Sequence, residues 1–170
     1  DGDGDRIGAV NESGEILFGD QLLVIFGRDA VRRFGKGTPV IFDVKCSQVL
    51  PDALAAAGAV PEMWKTGHSL IKARMKELDA PLAGEMSGHI FFGGDYFGFD
   101  DALFAAARLL EIVSRGKAGL APLIADLPRT FSTPELRVEC PDDAKFGVVA
   151  KAAAHFASKY PVNTIDGVRM

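Results

Sequence analysis

Pro39-Val40-Ile41-Phe42-Asp43-Val44 is a short apolar run set behind a glycine turn made by Gly35 and Gly37. It reads as a strand buried on both faces, the kind found in sheets covered by helices. Upstream, Leu22, Leu23, Ile25, Phe26, Ala30, Val31 and Phe34 recur at helical spacing. Asp20 stands where an N-cap is wanted, and Arg32, Arg33 and Lys36 gather at the far end, where the helix dipole favours cations. Downstream, Pro51 opens a second helix to Ala57, with Gly58 as its C-cap.

Farther out the alternation continues. Val60 to Trp64 reads as a strand and Ser69 to Leu78 as a helix with one solvated face. Leu82-Ala83 leads through a glycine-rich turn into a strand at His89 to Phe92. Asp100 or Asp101 caps a helix from Ala102 to Val113, and Ala121 to Leu127 reads as a short helix. Before the first helix, Ile7 to Val10 and Glu15 to Phe18 are extended around the turn Asn11 to Gly14. After Pro128 the pattern restarts. A linker at Thr130 to Pro134 precedes a strand at Glu135 to Cys140 and a helix from Asp142 or Asp143 to about Tyr160. A last strand at Val162 to Ile165 ends in the turn Asp166-Gly167. Helices alternating with strands favour an α/β fold.

Composition narrows the function. The 170 residues are 48% hydrophobic and 25% charged, with a net charge of −4. Such a chain is neither disordered nor equipped with the basic patch of a nucleic-acid binder. No apolar stretch approaches the ~20 residues that span a bilayer, and nothing at the first residues reads as a signal peptide. Two cysteines, Cys46 and Cys140, could form one bridge at most and read as two buried thiols of a reducing cytoplasm.

Asp1-Gly2-Asp3-Gly4-Asp5-Arg6 sets carboxylates at alternate positions. With glycines between them, the backbone can curl so that three anionic oxygens converge. Such a cluster repels itself unless a cation sits within it, and Mg²⁺ suits it best, since Mg²⁺ takes carboxylates and keeps positions for water or phosphate. Arg6 adds a permanent cation able to fork onto a carboxylate or phosphate. An EF-hand loop competes: Asp1, Asp3, Asp5 and Glu12 fall at its ligand positions, but Arg6 stands where that loop needs glycine. A solvated acidic turn competes as well.

Gly84-Glu85-Met86-Ser87-Gly88-His89 is the second dense site. Glu85 and Ser87 are two apart, so an extended loop points both to one face, where a carboxylate and a hydroxyl suit vicinal sugar hydroxyls. A tight turn with incidental polar residues is the plainer reading. Between the two sites, Lys45 follows the buried strand at its carboxyl end, where α/β proteins place ligands. Lys65-Thr66-Gly67-His68-Ser69 puts His68 at a helix start that favours an anion. His68 is also a group able to move protons near neutral pH. In isolation a surface lysine and a helix-start histidine are ordinary.

Taken together these segments resemble the α-D-phosphohexomutases. Asp1 to Arg6 resembles the family's metal-binding loop, and Gly84 to His89 its sugar-binding loop as found in bacterial phosphomannomutase/phosphoglucomutase enzymes. Lys65 to Lys72 with Trp64, and Phe97-Gly98-Phe99-Asp100-Asp101, resemble further parts of the third domain. The resemblance runs through nearly the whole chain, with both ends reading as cuts. It implies a mixed-sheet, three-layer α/β domain with partial neighbours: residues 1–15 as the end of domain 2, 16–127 as domain 3 and 128–170 as the start of domain 4. Asp166-Gly167-Val168-Arg169 resembles the turn before a phosphate-binding loop. Gln21 departs from the basic residue of near relatives and reads as a helix-start position of little consequence.

The resemblance implies phosphoryl transfer between the 1- and 6-positions of a hexose, through a phosphoserine enzyme and a bisphosphorylated sugar. Asp1, Asp3 and Asp5 would hold Mg²⁺, and Arg6 would stabilise charge on the phosphoserine. Lys45, Thr66, Gly67, His68, Glu85 and Ser87 would bind the sugar phosphate. His89 would either assist proton transfer or serve packing. None of Ser13, Ser47, Ser69, Ser87, Ser114, Ser132 and Ser158 lies in a Thr-Ala-Ser-His-Asn type loop, so the chain is expected to be inactive alone. A cytoplasmic monomer is expected. The alternative is a non-catalytic module that binds Mg²⁺ or Ca²⁺ and a sugar phosphate.

Overall fold

A computed structural model describes residues 1–116, 119–131, 133 and 136–170. The decisive apolar run is β3 (Pro39–Asp43), the centre of a four-stranded sheet. It pairs in parallel with β4 (Val60–Trp64) on one side and β5 (Leu82–Gly84) on the other. β6 (Ile90–Phe92) runs antiparallel on the outer side of β5. The order β4-β3-β5-β6 makes the mixed sheet that the resemblance implies.

Period-2 burial sorts the core into two faces. Val40, Phe42, Leu82, Ile90 and Phe92 meet one group of helices: α1 (Gly19–Phe34), α2 (Val49–Ala57) and α4 (Ala102–Gly116). Ile41, Ala83 and Phe91 turn the other way onto Ile71 and Met75 of α3 (His68–Leu78). A strand that must be apolar on both sides loses the alternation of a half-solvated strand, which is why β3 reads as a continuous run. Leu22, Leu23, Leu50 and Leu54 are completely buried beneath the sheet on the three-helix side. Gly58, at φ 94°, gives α2 the left-handed C-cap expected of it.

Several element ends differ from expectation. Phe18, not Asp20, is the N-cap residue of α1. Gln21 accepts the Phe18 N–H at 3.0 Å, so it closes half of a capping box instead of being inconsequential. Asp20 is freed to reach Ser47, whose N–H it accepts at 3.1 Å. The extended segments before α1 shrink to the hairpin β1 (Ala9–Val10) and β2 (Ile16–Leu17). The expected helix at Ala121 to Leu127 is a single 3-10 turn, Ala121–Leu123, with Pro122 inside it. Pro122 and Pro128 leave too short a run between them for an α-helix.

Residues Arg129–Met170 form a compact unit of their own, as do Asp1–Pro128. In the second unit, α5 (Lys145–Ala157) starts later than its acidic residues suggested. Asp142 pairs with Lys145 at 2.9 Å and does not cap the helix. Of the expected strand Glu135 to Cys140, residue 135 lies outside the described residues, as does part of the expected linker. Residues 136–140 take no strand, with Leu136 and Val138 exposed. Alternation alone makes no strand where no described neighbour offers a ladder. The expected strand Val162 to Ile165 is reduced to one bridge, Asn163 to Arg169, closed around Gly167.

Candidate functional site

The three parallel strands end on one edge, and the loops that follow them carry the polar residues picked out above. β3 leads to Lys45, β4 to Thr66, Gly67 and His68, and β5 to Glu85, Ser87 and His89. β4 and β5 flank β3 on opposite sides. The chain therefore reverses direction across β3, the kind of switch point where open α/β sheets form a ligand crevice. Lys45, His68 and Ser87 are exposed there, while Glu85 is only 4% exposed.

Glu85 is committed to its neighbours. One oxygen accepts the Gly67 N–H at 2.7 Å, and the other accepts the Ser87 hydroxyl at 3.2 Å. Glu85 and Ser87 thus come together as their spacing predicts. The His68 and His89 rings lie 6.3 Å apart. Nδ1 of His89 is 3.3 Å from Asp100 and 3.8 Å from Glu85, and Nε2 is 3.9 Å from Asp5.

The Asp-rich segment docks directly onto the loop after β5. Ile7 N–H donates to the Gly88 carbonyl at 3.0 Å, and Arg6 bridges to His89. A Cβ on Gly88 would lie 2.6 Å from the Ile7 carbonyl oxygen, and φ there is +97°, so only glycine permits the approach. On the other side, the Gly4 carbonyl accepts the Ala102 N–H at 2.9 Å, at the start of α4.

Asp1, Asp3 and Asp5 each offer an oxygen within 4.8 Å of the other two. Asp1 lies 2.5 Å from Nε of Arg6, while Oδ1 of Asp5 is buried without a hydrogen-bond partner. Three carboxylates with an orphaned oxygen fit a hard cation that takes oxygen ligands. Glu12 stays apart from this cluster. Its carboxylate accepts the N–H groups of Leu120 and Ala121, and its own backbone N–H, then those of Ala121 and Leu120, hold its pKa below the ordinary value. The EF-hand reading thereby loses its twelfth-position ligand.

Sequence reasoning passed over three residues. Asp43, 1% exposed at the end of β3, accepts from Cys46, Thr66 and Met86. A carboxylate closing an apolar run is the signal that marked it. Burial, then Asp43, pushes the Cys46 thiol pKa up, so this cysteine stays a thiol. Asp100 and Lys72 form an ion pair at 3.2 Å behind His89. Burial pushes the Asp100 carboxyl upward, but its own backbone N–H, Lys72 and His89 together hold it below the ordinary value. An apolar cavity of about 360 Å³ lies elsewhere, between α1 and α4. Its arginines Arg28, Arg32 and Arg115 are already paired with Asp126 and Asp29.

Comparison with known proteins identifies the family of this fold. The family described as "Phosphoglucomutase/phosphomannomutase, alpha/beta/alpha domain III" matches residues 18–131. The chain belongs to the phosphoglucomutase/phosphomannomutase family. It is 46% identical over 172 residues to the phosphomannomutase/phosphoglucomutase of Pseudomonas aeruginosa, and 43% identical over 173 residues to a phosphoglucomutase of Neisseria gonorrhoeae. All of the chain is matched in both, yet it spans only 37% of either relative. A crystal structure of a family member from Burkholderia thailandensis superimposes with a TM-score of 0.86 at 45% identity, covering 99% of this chain and 35% of that one. The N-acetylphosphoglucosamine mutase of Aspergillus fumigatus, solved with GlcNAc-6P and magnesium, shares the fold at a TM-score of 0.58 and 14% identity, covering 91% of this chain and 40% of that one. Among the described residues no helix is long and apolar enough to cross a membrane.

Proposed function

We propose that this chain is the sugar- and metal-binding part of a phosphosugar mutase that interconverts hexose 1-phosphate and hexose 6-phosphate, with glucose or mannose as the sugar. The reaction would run through a phosphoserine enzyme and a bisphosphorylated intermediate. The observation that carries the reading is the docking of the Asp-rich loop, through Ile7 and Gly88, onto the rim formed by the three strand-end loops. That docking supports reading a cation site next to the residues proposed to bind the sugar.

Asp1, Asp3 and Asp5 would hold Mg²⁺, which when bound polarises a phosphoryl group. Arg6, fixed against Asp1, presents its remaining guanidinium N–H groups to phosphate oxygens. Lys45 and His68 supply exposed donors for a sugar phosphate, as does the N-terminal backbone of α3 beyond Thr66 and Gly67. Glu85 and Ser87 meet sugar hydroxyls, and because Glu85 is anchored at Gly67 its free lone pairs keep one direction. A rim with fixed donors serves a sugar that must bind in two reversed orientations. His89, ringed by Asp5, Glu85 and Asp100, is the group placed to hold or pass a proton.

Residues 1–15 are read as the end of the mutase's second domain, 16–127 as its third and 128–170 as the start of its fourth. No serine of the chain lies in a phosphoserine-type loop, so these 170 residues alone should not turn over. A cytoplasmic location fits two cysteines outside any disulfide, Cys46 buried and Cys140 exposed, and a monomer is proposed with it. Calorimetric titration with glucose 1-phosphate in Mg²⁺ tests the reading. Weak, Mg²⁺-dependent binding without turnover supports it. Micromolar binding would indicate a self-sufficient binding module, and a melting shift with Ca²⁺ but not Mg²⁺ would indicate a calcium module. Mutase activity from the pure chain would overturn the claim that it is inactive alone.

A further inference from the structure

The strand ladder stops just short of the site. Its last pairs are Asp43 with Trp64 and Phe42 with Gly84, so backbone pairing does not fix the three loop tips relative to one another. Asp43 sits where the ladder ends. Its Oδ1 accepts the Met86 N–H at 3.0 Å and the Cys46 thiol at 3.1 Å, and its Oδ2 accepts the Thr66 hydroxyl at 3.2 Å. Each donor comes from a different loop: Cys46 beside Lys45, Thr66 beside Gly67 and His68, Met86 between Glu85 and Ser87.

We infer that Asp43 is a positioning residue that locks the three substrate loops into one rigid rim. A carboxylate this deeply buried has lost its water, and neutral donors must replace it. Withdrawing one loop strands the charge, so the loops hold or release together. Glu85 adds a second tie between two of the same loops through Gly67. Asp20 adds a third, binding the Ser47 amide back to α1. The donors to these three carboxylates are backbone amides, hydroxyls and a thiol, which leaves Lys45 and Arg6 for the ligand.

The inference rests on the mutase reading only in calling these substrate loops. The test uses amide spectra and hydrogen exchange of the full 170-residue chain, with glucose 1-phosphate as probe. In Asp43→Asn one of the two acceptor oxygens becomes an NH2 that can only donate, so at least one donor is stranded. Amides of Lys45, His68 and Ser87 should shift together and exchange at least tenfold faster, while Ala83 and Phe91 in the sheet keep their rates. Binding of glucose 1-phosphate should weaken about tenfold. Cys46→Ala removes one donor without touching the charge and should show the same three-loop pattern at lower amplitude. Cys46→Ser, which restores a donor, should return it to that of the unaltered chain. Changes confined to Met86, or faster exchange spread evenly over the sheet, would overturn the inference. If the unaltered chain binds no glucose 1-phosphate, the mutase reading fails, and the exchange pattern still decides the role of Asp43.

Discussion

The two halves of the site use carboxylates in opposite ways. In the strand-end loops, Asp43 and Glu85 are buried, surrounded by donors and hold neighbouring segments together. In the Asp-rich loop, Asp1 and Asp3 are exposed, Asp1, Asp3 and Asp5 crowd one another, and Oδ1 of Asp5 has no hydrogen bond, only Arg6 at 3.6 Å. The first set stabilises the apo chain. The second is kept in place by backbone contacts at Ile7 and Gly4 in spite of its own repulsion. The difference separates carboxylates that tie segments together from carboxylates whose mutual repulsion is left largely uncompensated.

The largest effect should come from breaking the joint between the halves. Gly88→Ala forces a methyl group against the Ile7 carbonyl and strains a positive φ, and should cost about 3 kcal/mol in urea unfolding. It should also abolish any Mg²⁺-induced rise in melting temperature. Glu85→Ala attacks the first set by stranding the Gly67 amide. We expect a loss of about 2 kcal/mol, with the Mg²⁺ response retained.

A smaller effect concerns Asp101, which caps α4 beside the metal loop by accepting the Phe104 N–H at 2.9 Å. The Tyr96 hydroxyl, then that N–H, hold its carboxyl below the ordinary value. The unfolded chain therefore binds the proton more readily, and stability falls as the pH drops through and below about 4. Because this carboxylate is largely solvated, the contribution should be about 1 kcal/mol or less. Asp101→Asn should flatten the acid limb of a stability-against-pH curve. The smallest effect should have the opposite sign. Asp3→Asn relieves repulsion, so without metal the melting point should hold or rise slightly, within about 0.5 kcal/mol, while the Mg²⁺ response disappears.

How much of this was legible in the sequence follows the same division. β3, α1 and α3 declare themselves because burial on one or two faces imposes a period, as at Leu22, Leu23, Phe26 and Ile71. The Asp-rich loop is legible because its chemistry is contiguous. Asp43 was not, since its three donors lie 3, 23 and 43 residues away, and only the sheet order brings them together. The cap of α1 was misassigned for a related reason: Asp20 is a good local cap, but the amide of Ser47 competes for it across 27 residues. Residues 136–140 failed the other way, with strand-like alternation but no described partner.

The hydrogen bond from Ala102 to the Gly4 carbonyl gives the protein a natural gauge. The first amides of a helix have no partner within it, and this one borrows its acceptor from the acidic loop. Whenever that loop lifts, the Ala102 proton is released to solvent. Deuterium uptake at this one amide therefore counts how often the loop is detached, with no dye, tag or bound sugar needed, and its slowing on adding Mg²⁺ would give the cation's grip directly in units of time.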